Sequence, residues 1–163
     1  MADDLHKIEA ASQTDLYERD YLAWSEVQAR ALRARTGGEN ALDYDNLAEE
    51  IEDLGKSEFY GCQSFVERII EHLLKLEFTT DPDPRAHWRG EIVEFRSQLD
   101  DHLTRTIENR VRERLDTLFA RRVLKITTAY PSMNADMIRA SRPEGYLWSE
   151  VIDPDWYPEP IVD

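Results

Sequence analysis

Between residues 45 and 78 the apolar side chains recur at gaps of three and four: Leu47, Ile51, Leu54, then Cys62, Phe65, Ile69, Leu73 and Leu76. Side chains so spaced lie along one face of an α-helix, whereas a strand would scatter them over both sides of a sheet. At 1.5 Å per residue such a helix is about 50 Å long, and the rest of the chain has to fold around it. Gly55 and Gly61 fall inside the run. The stripe keeps its phase across both, so one continuous helix is expected, starting near Asp45 or Asn46. Asp43, Asp45, Glu49, Glu50, Glu52 and Asp53 crowd its first turns, where the helix dipole favours negative charge.

The flanking sequence repeats the helical spacing. Tyr17, Tyr21, Trp24, Val27 and Ala31 predict a first helix over about residues 15–35, with Asp15 as its N-cap and Gly37-Gly38 as its stop. The turn 79–85, TTDPDPR, is stiffened by two prolines. Beyond it, Trp88, Ile92, Phe95, Leu99 and Leu103 form one helical stripe, and Ile107, Val111, Leu115, Leu118 and Ile126 another. No Gly or Pro marks the join near 102–105, which leaves 85–130 open to one helix or two; a compact bundle requires a turn there. A short helix over 132–141 and one further helical turn precede the proline-bearing tail. Strand signals are nearly absent. The expectation is a single all-α domain, a bundle of about four or five helices spanning 15–142. A loosely held polar lead, 1–14, comes before it. A strap, 143–163, is expected to clamp onto it through Trp148, Trp156 and Tyr157.

Composition narrows the function classes. The chain has 163 residues, enough for one real core. No apolar run approaches the length of a membrane span, and the first residues, MADDLHKIEA, lack the basic and apolar regions of a signal peptide. Cys62 stands alone, which excludes an internal disulfide and a thiolate zinc site. The expected setting is therefore cytoplasmic, without membrane contact. A formal net charge of −14 repels phosphate backbones, so direct nucleic-acid binding is not expected. It suits a basic protein partner instead.

The one chemical anomaly is Glu58, which falls within the stripe between Leu54 and Cys62, with His72 along its edge. A carboxylate in a core face is costly unless paired. Arg122 on the fourth segment and Arg89 and Arg96 on the third border apolar stripes of their own, and Arg pairs with carboxylate through two parallel hydrogen bonds. Glu58, His72, Arg89, Arg96 and Arg122 are thus a candidate buried polar site. The commoner reading of such a set is a network that fixes helix register; the functional one is a pocket for an anionic ligand, with Glu58 and His72 as acid and base. His87 and Glu91, one turn apart, and His102 are candidate metal ligands, though such spacings are common on solvated helix surfaces. No Glu-x-x-His pair of the di-iron type occurs. No phosphate-binding glycine loop and no paired nucleophile is present, and no cofactor is expected.

Several runs match a known pattern: Tyr21-Leu22-Ala23-Trp24 with Gln28-Ala29, the whole of 46–58 (NLAEEIEDLGKSE), His72-Leu73-Leu74-Lys75, Trp88 with Ile92 and Arg96, and the closing 151–159, VIDPDWYPE. In these the chain resembles the bacterial family named domain of unknown function 29, from about Tyr17 to Pro160. Many of its members carry an aromatic residue where Leu76 stands, and a Cys-Pro pair where this chain has Glu144-Gly145. The resemblance implies a helical bacterial protein and brings no catalytic residues with it. The expected function is a non-enzymatic interaction module whose acidic face, Glu49, Glu50, Glu52 and Asp53, meets a basic partner, in the manner of an antitoxin masking a nucleic-acid-binding enzyme. The alternative is a small-molecule- or metal-binding enzyme with a polar pocket in the bundle. Long amphipathic helices also allow a homo-oligomer.

Overall fold

The computed structural model describes residues 15–35, 42–79, 82 and 84–161; the polar lead and the Gly37-Gly38 stop lie outside these. All regular structure among them is helical. In chain order the helices are α1 (15–19), α2 (Tyr21–Arg33), α3 (Tyr44–Phe78), α4 (Arg85–His102), α5 (Arg105–Arg112), α6 (Leu115–Ala129), α7 (Ala135–Ser141) and α8 (Trp148–Ile152). The all-α expectation holds, and the long helix is continuous through both glycines. Of the described helices none is long and apolar enough to cross a membrane.

The chain packs as two compact units. Among the described residues, the first takes in those up to Gly61 with Thr104–Glu108, and the second those from Cys62 to Leu103 and from Asn109 onward. In the first, the helix expected over 15–35 is broken at Asp20. Its carboxylate accepts from Ala23 N at 3.1 Å, capping α2, and from Thr104 Oγ1 at 3.1 Å and Thr106 N at 2.9 Å at the start of α5. One buried side chain therefore satisfies orphan amides of two helices. Burial alone would raise its pKa, but the bonds from Thr106, Ala23 and Thr104 outweigh that and hold it below the usual carboxylate range. α3 begins one residue before the expected start, capped by Asp43, whose Oδ1 accepts from Asn46 N.

The core face of α3 in this unit is not the expected one. Leu47 and Leu54 are 40% and 54% exposed, and Glu58 is exposed too, while Ala48, Gly55 and Phe59 are buried. The buried row is set one residue along, about 100° round the helix. Small residues make it possible. A Cβ on Gly55 would stand 1.9 Å from Ser25 Oγ and 3.2 Å from Leu22 Cδ1, so α2 approaches α3 at a distance only glycine allows. Leu22, Ser25 and Ala29 are the buried positions of α2. The expected aromatic stripe lies beside that face instead, Tyr17, Tyr21 and Trp24 packing on one another with centroids 4.8–5.5 Å apart.

In the second unit α3 is central. Every residue from His72 to Phe78 is buried, as expected of a helix wrapped on all sides. Trp88, Ile92 and Leu99 of α4, Val111 of α5, and Leu118, Phe119, Val123 and Ile126 of α6 complete the core. The segment left open resolves into three helices, broken at 103–104 and 113–114. Thr104 ends the ambiguity at the first break, its Oγ1 accepting from Ile107 N at 3.3 Å as the cap of α5. In the tail Tyr146, Trp148, Val151 and Pro158 are buried, and Trp156 and Tyr157 are half-buried. Gly145, at φ 71°, lets the loop before α8 lie flat on Phe119, 2.9 Å from where a Cβ would sit.

Candidate functional site

After Val66 only Arg68 of α3 is exposed, so the other polar residues it carries there need partners. Glu67, Glu71 and Lys75 follow at helical intervals and face α6. Glu67 receives Arg122 Nη2 at 2.6 Å and Arg121 Nη1 at 2.9 Å. Glu71 receives Lys125 Nζ at 2.9 Å, Arg122 Nη1 at 3.3 Å and Lys75 Nζ at 3.4 Å. Burial would raise the Glu71 pKa, yet the Lys125 hydrogen bond and the charges of Lys75 and Lys125 bring it down to about 2. Arg122 spans both carboxylates, and its Nε is buried with no hydrogen-bond partner. Lys75 also sits between the rings of Trp88 and Tyr130, 5.8 and 5.7 Å from their centroids.

His72 lies on the neighbouring side of α3. Its Nδ1 is 2.8 Å from the Arg68 carbonyl oxygen and its Nε2 is 2.6 Å from Glu91 Oε2. Both ring nitrogens of His72 are thus engaged. His87 Nε2 reaches the same Glu91 oxygen at 3.3 Å. Ser64, Glu67, Arg68, Glu71, His72, Arg122 and Lys125 line a cleft of about 180 Å³.

A second network closes the other end of α3. Glu77 is buried and accepts from Arg142 Nε at 3.0 Å and from the Tyr146 hydroxyl at 2.6 Å, while Arg142 Nη1 donates to Glu150 at 3.0 Å. Burial and the Glu77 charge push the Tyr146 hydroxyl well above its usual pKa, so it stays a donor. Arg96 ties down the tail. Its Nε donates to Val151 O and its Nη2 to Glu150 O, both at 2.8 Å, and Nη1 and Nη2 share Trp156 O at 3.1 and 3.2 Å. A wider cleft of about 710 Å³ is floored by Phe119, Val123 and Trp148. Its Arg139 and Arg142 are occupied by Asp136, Glu77 and Glu150, which leaves it without those two cations for a ligand.

The five residues singled out from sequence do not form one site. His72 and Arg122 share the small cleft. Arg96 is a tail clamp, and Arg89 is exposed with its guanidinium 4.8 Å from the Tyr157 ring centroid. Glu58 is an exposed residue of the first unit and not a core-facing acid; the error follows from taking Leu47 and Leu54 as the buried row. The carboxylates that do the pairing, Glu67, Glu71, Glu77 and Glu91, were missed as partners. Their signal is the apolar density of 66–78, where Arg68 alone is exposed. Among the candidate metal ligands, His87 and Glu91 meet, but His102 is exposed at the far end of α4, about 22 Å along the axis. No three His, Cys, Asp or Glu side chains among the described residues are placed to hold a metal ion. Cys62 is a buried free thiol.

In the acidic stretch, Glu49, Glu50 and Asp53 are exposed. Glu52 is held by Arg33 at 2.6 Å and by Lys56 at 3.4 Å, and Asp53 by Lys56 at 2.9 Å. The Arg33 and Lys56 bonds lower the Glu52 pKa.

No curated protein matches the sequence. Among solved structures the chain is similar to an alpha-helical protein of unknown function from Rhodospirillum rubrum, with 27% identity and a TM-score of 0.66 over 86% of this chain and 90% of that one. A family model, the domain of unknown function DUF29, matches residues 16–157. With nearly the whole described chain inside that match, this protein belongs to the DUF29 family.

Proposed function

We propose that this chain is a non-enzymatic protein-interaction module of the bacterial cytoplasm, and that the acidic first half of α3 receives a basic amphipathic helix of a partner protein. The observation that carries the reading is the pairing of exposed leucines with exposed acids on one stretch of helix. Leu47 and Leu54 stand two turns apart on one face, with half-buried Ile51 between them and Glu50 beside them. An apolar stripe edged by carboxylates fits a helix whose own apolar stripe is edged by Lys and Arg. A nucleic-acid-binding enzyme, masked as by an antitoxin, is one partner of that kind. Glu52 and Asp53 contribute less, since Arg33 and Lys56 already hold them.

The test is capture from the native bacterium at low salt, followed by titration of the purified partner. A basic protein bound by the wild type and lost by Glu49→Lys/Glu50→Lys and by Leu54→Ser is the expected result. Equal capture by the variants, or no protein partner, overturns it; self-association of the wild type, abolished by the same changes, would replace the partner with a second copy. Glu52 is left out of the reversal because its loss breaks the Arg33 bond. One observation favours a second reading, a small-molecule site: the charged cleft around Glu71 and Arg122.

A further inference from the structure

This inference rests on the cleft reading and is independent of the acidic face. We infer that the cleft formed by α3 and α6 binds a small tetrahedral oxyanion, free phosphate or the phosphoryl end of a small phosphomonoester. Three cationic side chains, Arg68, Arg122 and Lys125, line it beside His72 and against two carboxylates, Glu67 and Glu71. Lys75 and Arg121 add positive charge from either side. Such a surplus is out of keeping with a chain of net charge −14, and it is what a dianion would neutralise.

The carboxylates do not exhaust the donors. Arg68 is exposed and makes no ion pair among the described residues; its guanidinium lies over the Phe95 ring, 5.5 Å from the centroid. Arg122 keeps one buried N–H without an acceptor. The Ser64 hydroxyl stands at the lining as a neutral donor. The depressed Glu71 pKa reports the same positive field from within. Guanidinium forks match the oxygens of a phosphoryl group in pairs. At roughly 30 Å³ per water the cleft has room for about six waters, enough for one phosphoryl group and too little for a nucleoside as well. The organic part of an ester would therefore lie outside.

Calorimetric titration of the full chain at low ionic strength, with inorganic phosphate, glycerol phosphate and chloride as separate probes, tests this. The expected result is saturable 1:1 binding of phosphate with a Kd of about 1 mM or tighter, and none of chloride. Tighter binding of glycerol phosphate than phosphate assigns the site to an ester; the reverse assigns it to the free ion. Arg68→Ala, which removes no ion pair, should weaken binding about tenfold or more, and Glu71→Gln, which removes a repelling charge, should tighten it severalfold. No saturable binding, or equal binding by Arg68→Ala, overturns the inference. Glu49→Lys/Glu50→Lys should leave it unchanged, so failure here and failure of the interaction reading are separable.

Discussion

Replacing Gly55 by alanine should destabilise the protein, against the ordinary preference of helices. In a helix with open space around it, Gly→Ala gains about 1 kcal/mol. At Gly55 the new methyl would stand 1.9 Å from Ser25 Oγ and 3.0 Å from Ser25 Cβ, inside any contact real atoms make. Either the helices part or the serine turns. Parting them is overpacking, which costs about 1–3 kcal/mol. Turning the serine breaks its 2.8 Å bond to the Leu22 carbonyl and strands a buried hydroxyl, at about 1–3 kcal/mol. After the propensity gain, the net loss by either route is up to about 2 kcal/mol. At about 2–4 °C per kcal/mol for a chain of this size, the melting temperature falls by up to about 8 °C. Urea and thermal denaturation followed by far-ultraviolet circular dichroism measure it. Ser25→Gly clears the two nearest atoms and leaves only Leu22 Cδ1, at 3.2 Å, so Gly55→Ala should cost little in that background. The coupling should exceed about 1 kcal/mol in the double-mutant cycle. Gly61→Ala and Gly90→Ala meet nothing within 4 Å and should stabilise by about 0.5–1 kcal/mol. A Gly55→Ala protein as stable as those two would refute the close approach of α2.

Arg96→Ala should release the tail: three carbonyls lose their donor, limited proteolysis should cut between 152 and 160, and stability should drop by about 3 kcal/mol or more. Glu71 gives a pH dependence of known sign. Its folded pKa of about 2 lies below the ordinary 4.5, so its stabilisation is present above pH 4.5 and is lost as pH falls toward 2. Glu71→Gln should flatten that part of the stability profile, by at most about 3 kcal/mol between its ends. Asp20→Ala should cost about 2 kcal/mol, because one carboxylate caps two helices, and exchange of the Ala23 and Thr106 amides should quicken. Tyr146→Phe removes a 2.6 Å bond to a buried carboxylate and should lower stability by about 1.5–3 kcal/mol, read by the same unfolding assay.

Fold class and the long helix were legible because period 3.6 runs through most of the chain. What misled was reading periodicity from large apolar residues alone. In the first half of α3 the buried row is Ala48, Gly55 and Phe59, and two of those three carry little hydrophobic weight. Only the partner helix, with Ser25 and Ala29 facing inward, shows why small residues win there. The break at Asp20 carries a capping residue type, but its meaning comes from Thr104 and Thr106, distant in sequence. The candidate site was half legible. His72 and Arg122 were found by their angular position, and they do line one cleft. Their carboxylates escaped because Glu67 and Glu71 read as the solvent side of an amphipathic helix. Beyond Val66 that side is reduced to Arg68, the one exposed residue of α3 there.

The end of α3 has a consequence for how the chain is made. Its last carbonyls are satisfied from afar: Arg85 Nη1 donates to Leu76 O at 2.8 Å, and Ile161 N donates to Glu77 O at 2.8 Å. The Glu77 side chain waits likewise for Arg142 and Tyr146. At about 5–20 residues per second on the ribosome, the strap follows Glu77 after roughly ten seconds. For that interval the most apolar helix of the protein carries a carboxylate that has no place to be buried. An unpaired carboxylate there should oppose early collapse of 66–78 into a core of its own. A nascent chain stalled before Arg142 should therefore be protease-sensitive throughout 62–129, and one extended past Ile161 should be protected.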